Sequence, residues 1–331
     1  MAKIEKLPSG TYRTRVYDSA TKRQKSLTAP TKEELKRLVA EFELNKEVVA
    51  KGDSTIEDAV ESYISSRTAV ASPATIRGYR QIQGKYFDGL NSYLVSALST
   101  TDIQRFVNDL AKTRSPKTVR NIYGLLISSI RAVDPDCRIN ITLPQKEVVE
   151  RHIPTDNDVK NLLNHAEGDL RKAIILASTG TMRRGEICSL CYEDIIDNVV
   201  HVHSDMVKTE SGEWIIKKIP KTSSSDRYIE FDEHVIEELG TGTGRILEIT
   251  PGTVTQSFIR LRDSLGIECR FHDLRHYCAS VMHAIGVPDQ YIMARGGWSS
   301  DSILKSVYRN VLSDKNREFS EKTNAYMNKL F

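Results

Sequence analysis

No stretch of this chain stays apolar for long. The longest such run, Ala173 to Ala177, is five residues, against the roughly 20 that a membrane-spanning helix requires. Met1 to Lys6 is charged and opens no apolar stretch, so no secretory leader is expected and the chain reads as cytoplasmic. Cysteine is scarce: five residues, an odd number spread over 331 positions, make no disulfide framework. Cys188 and Cys191 have zinc-like spacing, but no second CxxC or HxxxH pair follows. They fall in a helical pattern from Glu186 to Glu193, where two small thiols belong to a core, so no metal site is expected. Composition excludes a disordered or collagenous chain, with 39% hydrophobic and 27% charged residues.

A charge excess is also missing overall, with 47 Lys and Arg against 44 Asp and Glu. The balance is uneven along the chain. Residues 1–32 hold eight bases (Lys3, Lys6, Arg13, Arg15, Lys22, Arg23, Lys25, Lys32) and two acids, Glu5 and Asp18. Residues 64–130 hold nine bases, among them Arg77, Arg80, Lys117 and Arg120, and three acids. Two basic segments in a nearly neutral chain fit either localised contacts with a polyanion or two solvated faces.

The patterning divides the chain into three parts. Residues 10–27 alternate about a polar turn and predict a hairpin, with Arg13 and Arg15 on one face and Tyr12, Thr14 and Val16 on the other. Thr31-Lys32-Glu33-Glu34 then starts a helix by the capping-box pattern. After a polar stretch near 45–53, helices are predicted at Ile56–Arg67, Pro73–Phe87, Thr101–Lys112 and Pro116–Val133. Two of them open on Ser-Pro, with Ser at the N-cap and Pro at the first helical position. Their basic starts (Arg77, Arg80; Lys117, Arg120) suit phosphate contacts. A proline-bearing break from Asp134 to Arg151 reads as an interdomain linker. Beyond it, helices are predicted at Thr155–His165, Leu170–Ser178 and Gly185–Tyr192, strands at Val199–Ser204, Trp214–Ile219 and Arg227–Phe231, and helices thereafter.

Five stretches of the last part carry candidate chemistry. Arg183 stands three residues before Glu186 at a helix start, where a carboxylate can hold it and aim it at an anion. Lys221 occupies a polar turn between two strands, where it is either an exposed loop lysine or a mobile acid. His272 and Arg275 are spaced i and i+3, so on a helix they face one way. Trp298 follows the turn Gly296-Gly297, and Tyr308 follows a short helical pattern. Each alone has an ordinary structural reading. Together they supply two guanidiniums to clamp one phosphate, two proton carriers, an indole donor and a hydroxyl nucleophile.

In that order the motifs resemble the tyrosine recombinase (phage and transposon integrase) family over nearly the whole chain. Thr179-Gly180-Thr181-Met182-Arg183-Arg184-Gly185-Glu186 looks like its first-arginine box, Lys221 its hairpin lysine and His272-x-x-Arg275 its second box. Trp298 occupies the position where the family more often has His, and Tyr308 stands ten residues later. The resemblance implies a multidomain, mainly α fold with small β-sheets. An arm-binding β-sheet-plus-helix module spans 1–48, a helical core-binding domain 53–135, a linker 136–153, and an α+β catalytic domain 154–331 with a C-terminal tail helix from Asp314. It implies a site-specific recombinase that cuts and rejoins double-stranded DNA through a 3′-phosphotyrosyl link on Tyr308, without cofactor or metal. Arg183, Arg275 and Trp298 would stabilise the transition state, Glu186 would support Arg183, and Lys221 and His272 would move protons. Implied partners are core and arm DNA sites, a homotetramer on DNA, an excision factor and a DNA-bending host protein in a bacterial cytoplasm, with Arg13, Arg15, Lys22, Arg23, Lys25, Arg77, Arg80, Lys117 and Arg120 as DNA contacts. A topoisomerase- or resolvase-like relative and a non-catalytic DNA-binding regulator are the competing readings.

Overall fold

The computed structural model describes residues 4–7, 10–18, 23–40, 54–147, 152–218 and 225–300. Lys22, Lys221, Tyr308, the 45–53 stretch and the tail from Asp314 lie outside the described residues. The chain divides into two compact units, Met1–Ala71 with Thr75–Glu147, and Val148–Phe331 with Ser72–Ala74. It is mainly helical with small antiparallel sheets.

In the first unit, β1 (Glu5–Lys6), β2 (Tyr12–Asp18) and β3 (Arg23–Ala29) form an antiparallel sheet in that order. Two-residue β1 is too short to leave a periodic signal, so sequence patterning finds only the β2–β3 hairpin. The alternation of β2 is realised: Thr14 and Val16 are buried while Arg15 is exposed. Cross-strand partners share a face, and Arg15 pairs with Ser26 whereas Lys25 pairs with Val16. Lys25 is therefore on the side opposite Arg13 and Arg15, exposed. The side chain of Arg23 lies outside the described residues. Helix α1, residues 32–40, starts as the capping pattern predicts, with Thr31 Oγ1 accepting from Glu34 N at 3.2 Å, and it buries Leu35 completely.

Four helices follow, α2 (Ile56–Ser65), α3 (Pro73–Tyr86), α4 (Thr100–Ala111) and α5 (Pro116–Val133). Capping boxes at Thr55/Asp58 and Ser99/Asp102, and Ser115 before Pro116, fix three of their starts. Ile56, Val60, Ile64, Phe87, Ile103, Ile122, Leu126 and Ile130 make the core. The segment after Asp134 has neither helix nor strand, yet as far as Glu147 it is held to the helices. Thr142 N donates to Gln104 Oε1 at 2.8 Å, Arg120 Nη2 to the Pro144 carbonyl at 2.7 Å, and Cys137, Ile139 and Ile141 pack on the core.

The second unit opens with α6 (Asp156–His165), α7 (Gly168–Gly180) and α8 (Arg184–Ser189). Then come a three-stranded antiparallel sheet, order β4 (Ile195–Ile196), β5 (Val199–Val202), β8 (Arg227–Glu230), and a hairpin of β6 (Asp205–Lys208) with β7 (Trp214–Lys217). Helices α9 (Glu233–Leu239), α10 (Pro251–Ser264), α11 (Phe271–Ala284) and α12 (Asp289–Gly296) complete it. Helix α8 is shorter than its pattern predicts, because Leu190 turns extended and Cys191 N bonds Asp194 Oδ2 at 2.9 Å instead of continuing the helix. Cys188 is buried in the core, where loss of water pushes its thiol up to about 12, and Cys191 lies beyond the helix end.

Leu126 is fully buried between the helices of the first unit. Leu126→Ala is expected to cost about 2–5 kcal/mol there. Native-state hydrogen exchange should show amides of α2 and α5 losing protection while those of α7 and α11 keep theirs.

Candidate active site

The site is built around one buried carboxylate. Helix α7 ends at Gly180, where an added Cβ would stand 2.4 Å from the Phe231 ring, and Thr181 follows in the left-handed region at φ 51°. That reversal brings Arg183, extended, to the N-terminal cap of α8, with Glu186 one turn inside. Glu186 Oε2 accepts from the Arg183 backbone N at 2.8 Å and Oε1 from Arg183 Nη1 at 2.5 Å. From the other side Arg227 Nη2 donates to Oε2 at 2.8 Å and Nη1 to Oε1 at 3.3 Å. Burial would raise the Glu186 pKa, but the bond and charge of Arg227, then Arg183, hold it below the usual carboxylate range.

Arg275, on α11, is 1% exposed, and its Nη1 and Nη2 donate to the carbonyls of Thr181 and Gly296. Arg183 Nη2 likewise donates to the Gly297 carbonyl at 3.1 Å. Trp298 follows Gly297, which caps α12 in the left-handed region at φ 61°, and Trp298 N closes the turn on Met293 O at 3.0 Å. Its ring lies under the Arg275 guanidinium, 4.4 Å from centroid to Cζ, while packing on Ala279 and Ile292. A Cβ at Gly296 would fall 2.3 Å from that ring, so the glycine is required by the close approach.

The Arg275 pKa is driven well down, first by burial and next by the charge of Arg183. Arginine does not deprotonate in practice, so Arg275 keeps its charge in a buried setting, with a like charge beside it. The other carboxylate close by is Asp205 on β6, its Oδ1 packed against Gly185; burial and then Glu186 raise its pKa. Even with Asp205 ionised, the guanidiniums of Arg183, Arg227, Arg275 and Arg295 outnumber the two carboxylates, and the excess positive charge suits an anion.

His272, in the first turn of α11, is exposed by area and meets His276 edge-on at 4.9 Å between ring centroids. Protein packed about the ring removes part of its water, and Arg275 adds repulsion, so its pKa falls to about 4 and the imidazole is neutral at pH 7. Arg184, beside Arg183 in sequence, turns the other way and donates to Thr255 Oγ1. Lys221 belongs to the connection between β7 and β8 and Tyr308 to the residues after 300, both outside the described residues. Among the described residues no group of His, Cys, Asp and Glu could hold a metal ion.

Comparison with known proteins decides the family. Residues 153–315 match the phage integrase family model. The "Tyrosine recombinase XerC-like" protein of Caldanaerobacter subterraneus subsp. tengcongensis is 25% identical over 84% of each chain. The "Prophage ps2 probable integrase" of Lactococcus lactis is 24% identical over 71% of this chain and 69% of its own. The chain belongs to the tyrosine recombinase family. Solved structures agree in fold. The Tn1549 transposon integrase with circular intermediate DNA superposes with a TM-score of 0.68 at 18% identity, over 82% of this chain and all of that one. A lambda integrase tetramer bound to a Holliday junction gives 0.62 at 18%, over 92% and 94%.

Within this recombinase the fold brings Arg183, Glu186, Arg275, Trp298 and His272 to one region of the second unit. Two site residues escape the sequence reading. Arg227 pairs with Val202 across β5 and β8, an inward position otherwise held by Val200 and Ile229. Arg295, on α12, donates to the carbonyls of Thr179 at 3.0 Å and Glu230 at 3.0 Å. For Arg227 a signal exists, since it begins an alternating strand on the apolar parity; its partner, 41 residues away, is visible only in three dimensions. Among the basic residues of the first unit, Arg80 is paired with Glu61, which it holds down to about 2, and Arg120 is bonded to the Pro144 carbonyl. Arg77 is half-buried and Lys117 exposed, while Arg13 reaches Glu5 at 3.4 Å.

Two outcomes are expected. Gly296→Ala displaces the indole, so the emission of Trp298, read in a Trp214→Phe background, should shift toward that of solvated tryptophan as the Arg275 contact is lost. The His272 ring should titrate by NMR near 4 rather than near 6.5. The unfolded chain then binds the extra proton between those values, so His272 makes stability rise with pH across that window.

Proposed function

We propose that this recombinase is a site-specific integrase that cuts and rejoins double-stranded DNA, integrating or excising a mobile genetic element. The observation that carries the reading is that Arg275 is held on two backbone carbonyls and Arg183 on one, while the carboxylate that Arg183 uses is shared with Arg227, so positive charge is left over. Carbonyl acceptors satisfy the N–H groups without cancelling charge, so the pair is preorganised for the non-bridging oxygens of a phosphodiester.

The phenolic oxygen of Tyr308 attacks the scissile phosphorus, and the bond to the 5′-oxygen breaks. A 3′-phosphotyrosyl link and a 5′-hydroxyl result. Arg183 and Arg275 balance the charge of the pentacoordinate state, and the Trp298 indole N–H adds a donor that cannot exchange a proton near neutrality. Lys221 gives its proton to the leaving oxygen. His272, neutral at pH 7, accepts the tyrosine proton; a bound phosphate offsets the repulsion from Arg275 and so raises the basicity of the ring as substrate arrives. Attack by the 5′-hydroxyl of a partner strand reverses the step. One phosphoester is exchanged for another, so no ATP is required.

The same reading makes the two basic segments DNA contacts: Arg13, Arg15, Lys22, Arg23 and Lys25 for arm sites, and Arg77, Arg80, Lys117 and Arg120 for core sites. The relatives solved on DNA, one a tetramer on a Holliday junction, support a tetramer exchanging strands in pairs, with an excision factor and a bending protein as accessories. A bacterial cytoplasm, at the nucleoid, is the compartment this chemistry needs. Among the described residues no helix is long and apolar enough to cross a membrane.

The test is covalent capture on a nicked duplex carrying the junction that flanks the gene. Wild type should give a protease-sensitive shifted band on a denaturing gel, and Tyr308→Phe none. Binding without capture by wild type would favour a non-catalytic regulator, and equal capture by both proteins would place the nucleophile elsewhere.

A further inference from the structure

Arg227 is the buried arginine of the cluster whose fork is spent on the carboxylate that Arg183 also uses. Its side chain is 5% exposed, against 34% for Arg183. Its donors are committed inside the protein, the fork to both oxygens of Glu186, Nε to the Arg295 carbonyl at 2.7 Å and Nη1 to the Ser225 carbonyl at 3.1 Å. Arg183 commits one bond to Glu186 and one to the Gly297 carbonyl, leaving other N–H groups on its exposed side.

A buried Arg–Glu pair alone would be neutral. Were Arg183 the sole partner of Glu186, its charge would be cancelled where a phosphate needs it. The second guanidinium turns the pair into a cationic triad. Asp205, against Gly185, Arg275, on the Thr181 and Gly296 carbonyls, and Arg295, on the Thr179 and Glu230 carbonyls, are charged groups of the same cluster, and Arg184 lies near Asp205. Resting on the recombinase reading above, we propose that Arg227 is a positioning residue for strand cleavage: it neutralises Glu186 from the buried side, so that Arg183 keeps both its orientation and its positive charge for the scissile phosphate.

Arg227→Met leaves Glu186 to cancel Arg183, and covalent capture on the nicked duplex should slow about 10- to 100-fold, as loss of an outer supporting group commonly does. Arg227→Lys, which keeps the charge but loses the fork, should recover part of the rate. Adding Glu186→Gln to Arg227→Met removes the charge that Arg227 offsets, and capture should become faster than with Arg227→Met alone. Should Arg227→Met fail to fold by circular dichroism, the double variant is compared with Glu186→Gln, and the two should capture at similar rates. Wild-type rates in Arg227→Met, no gain on adding Glu186→Gln, or a large loss on adding Arg227→Met to Glu186→Gln would each overturn the proposal. Absence of capture by wild type would instead overturn the recombinase reading itself.

Discussion

Glu186 keeps 4% of its surface exposed and accepts hydrogen bonds from two guanidiniums and a backbone amide. An isolated buried carboxylate would be protonated or driven to the surface, and here the two arginines keep it charged. In return it fixes the start of α8, the angle of Arg183 and the first residue of β8. Remove the carboxylate and two guanidiniums lose their common partner. The rest of the site is arranged so that no further negative charge is needed to hold the cations in place.

That arrangement uses main-chain carbonyls. Arg275 rests on Thr181 and Gly296, Arg183 on Gly297, Arg227 on Ser225 and Arg295, and Arg295 on Thr179 and Glu230. A carbonyl satisfies a donor but leaves the formal charge intact, so a cluster held this way stays electropositive while being well ordered. The cost appears in the backbone. Thr181 accepts a left-handed conformation to aim its carbonyl at Arg275, Gly297 does so beneath Trp298, and Gly296 has no room for a side chain. At Thr181 and Gly297 the left-handed backbone stands where the arginines need acceptors.

Much of this architecture is legible in the chain. The two Ser-Pro starts and the Thr31-to-Glu34 pattern locate helix starts because capping is a local interaction. The i, i+3 spacing of His272 and Arg275 holds because α11 is regular there. Strands β1 and β4 are not legible, being two residues long with no alternation to register. Charge density along the chain is a poorer guide to free cations. Arg80 and Arg120 lie in a basic stretch yet are bonded to Glu61 and Pro144, partners 19 and 24 residues away.

The sequence by itself determined the chemistry available: its ordered set of Arg, Lys, His, Trp and Tyr, its helical phases, and the pairing of Arg183 with Glu186 one helical turn apart. These follow from interactions between residues close along the chain. Only the tertiary structure decided which arginines are buried, that Arg183 also rests on the Gly297 carbonyl, and that Arg227 shares its carboxylate. Those outcomes depend on contacts across 41 to 114 residues, where local periodicity carries no information and only the packed fold chooses the partner.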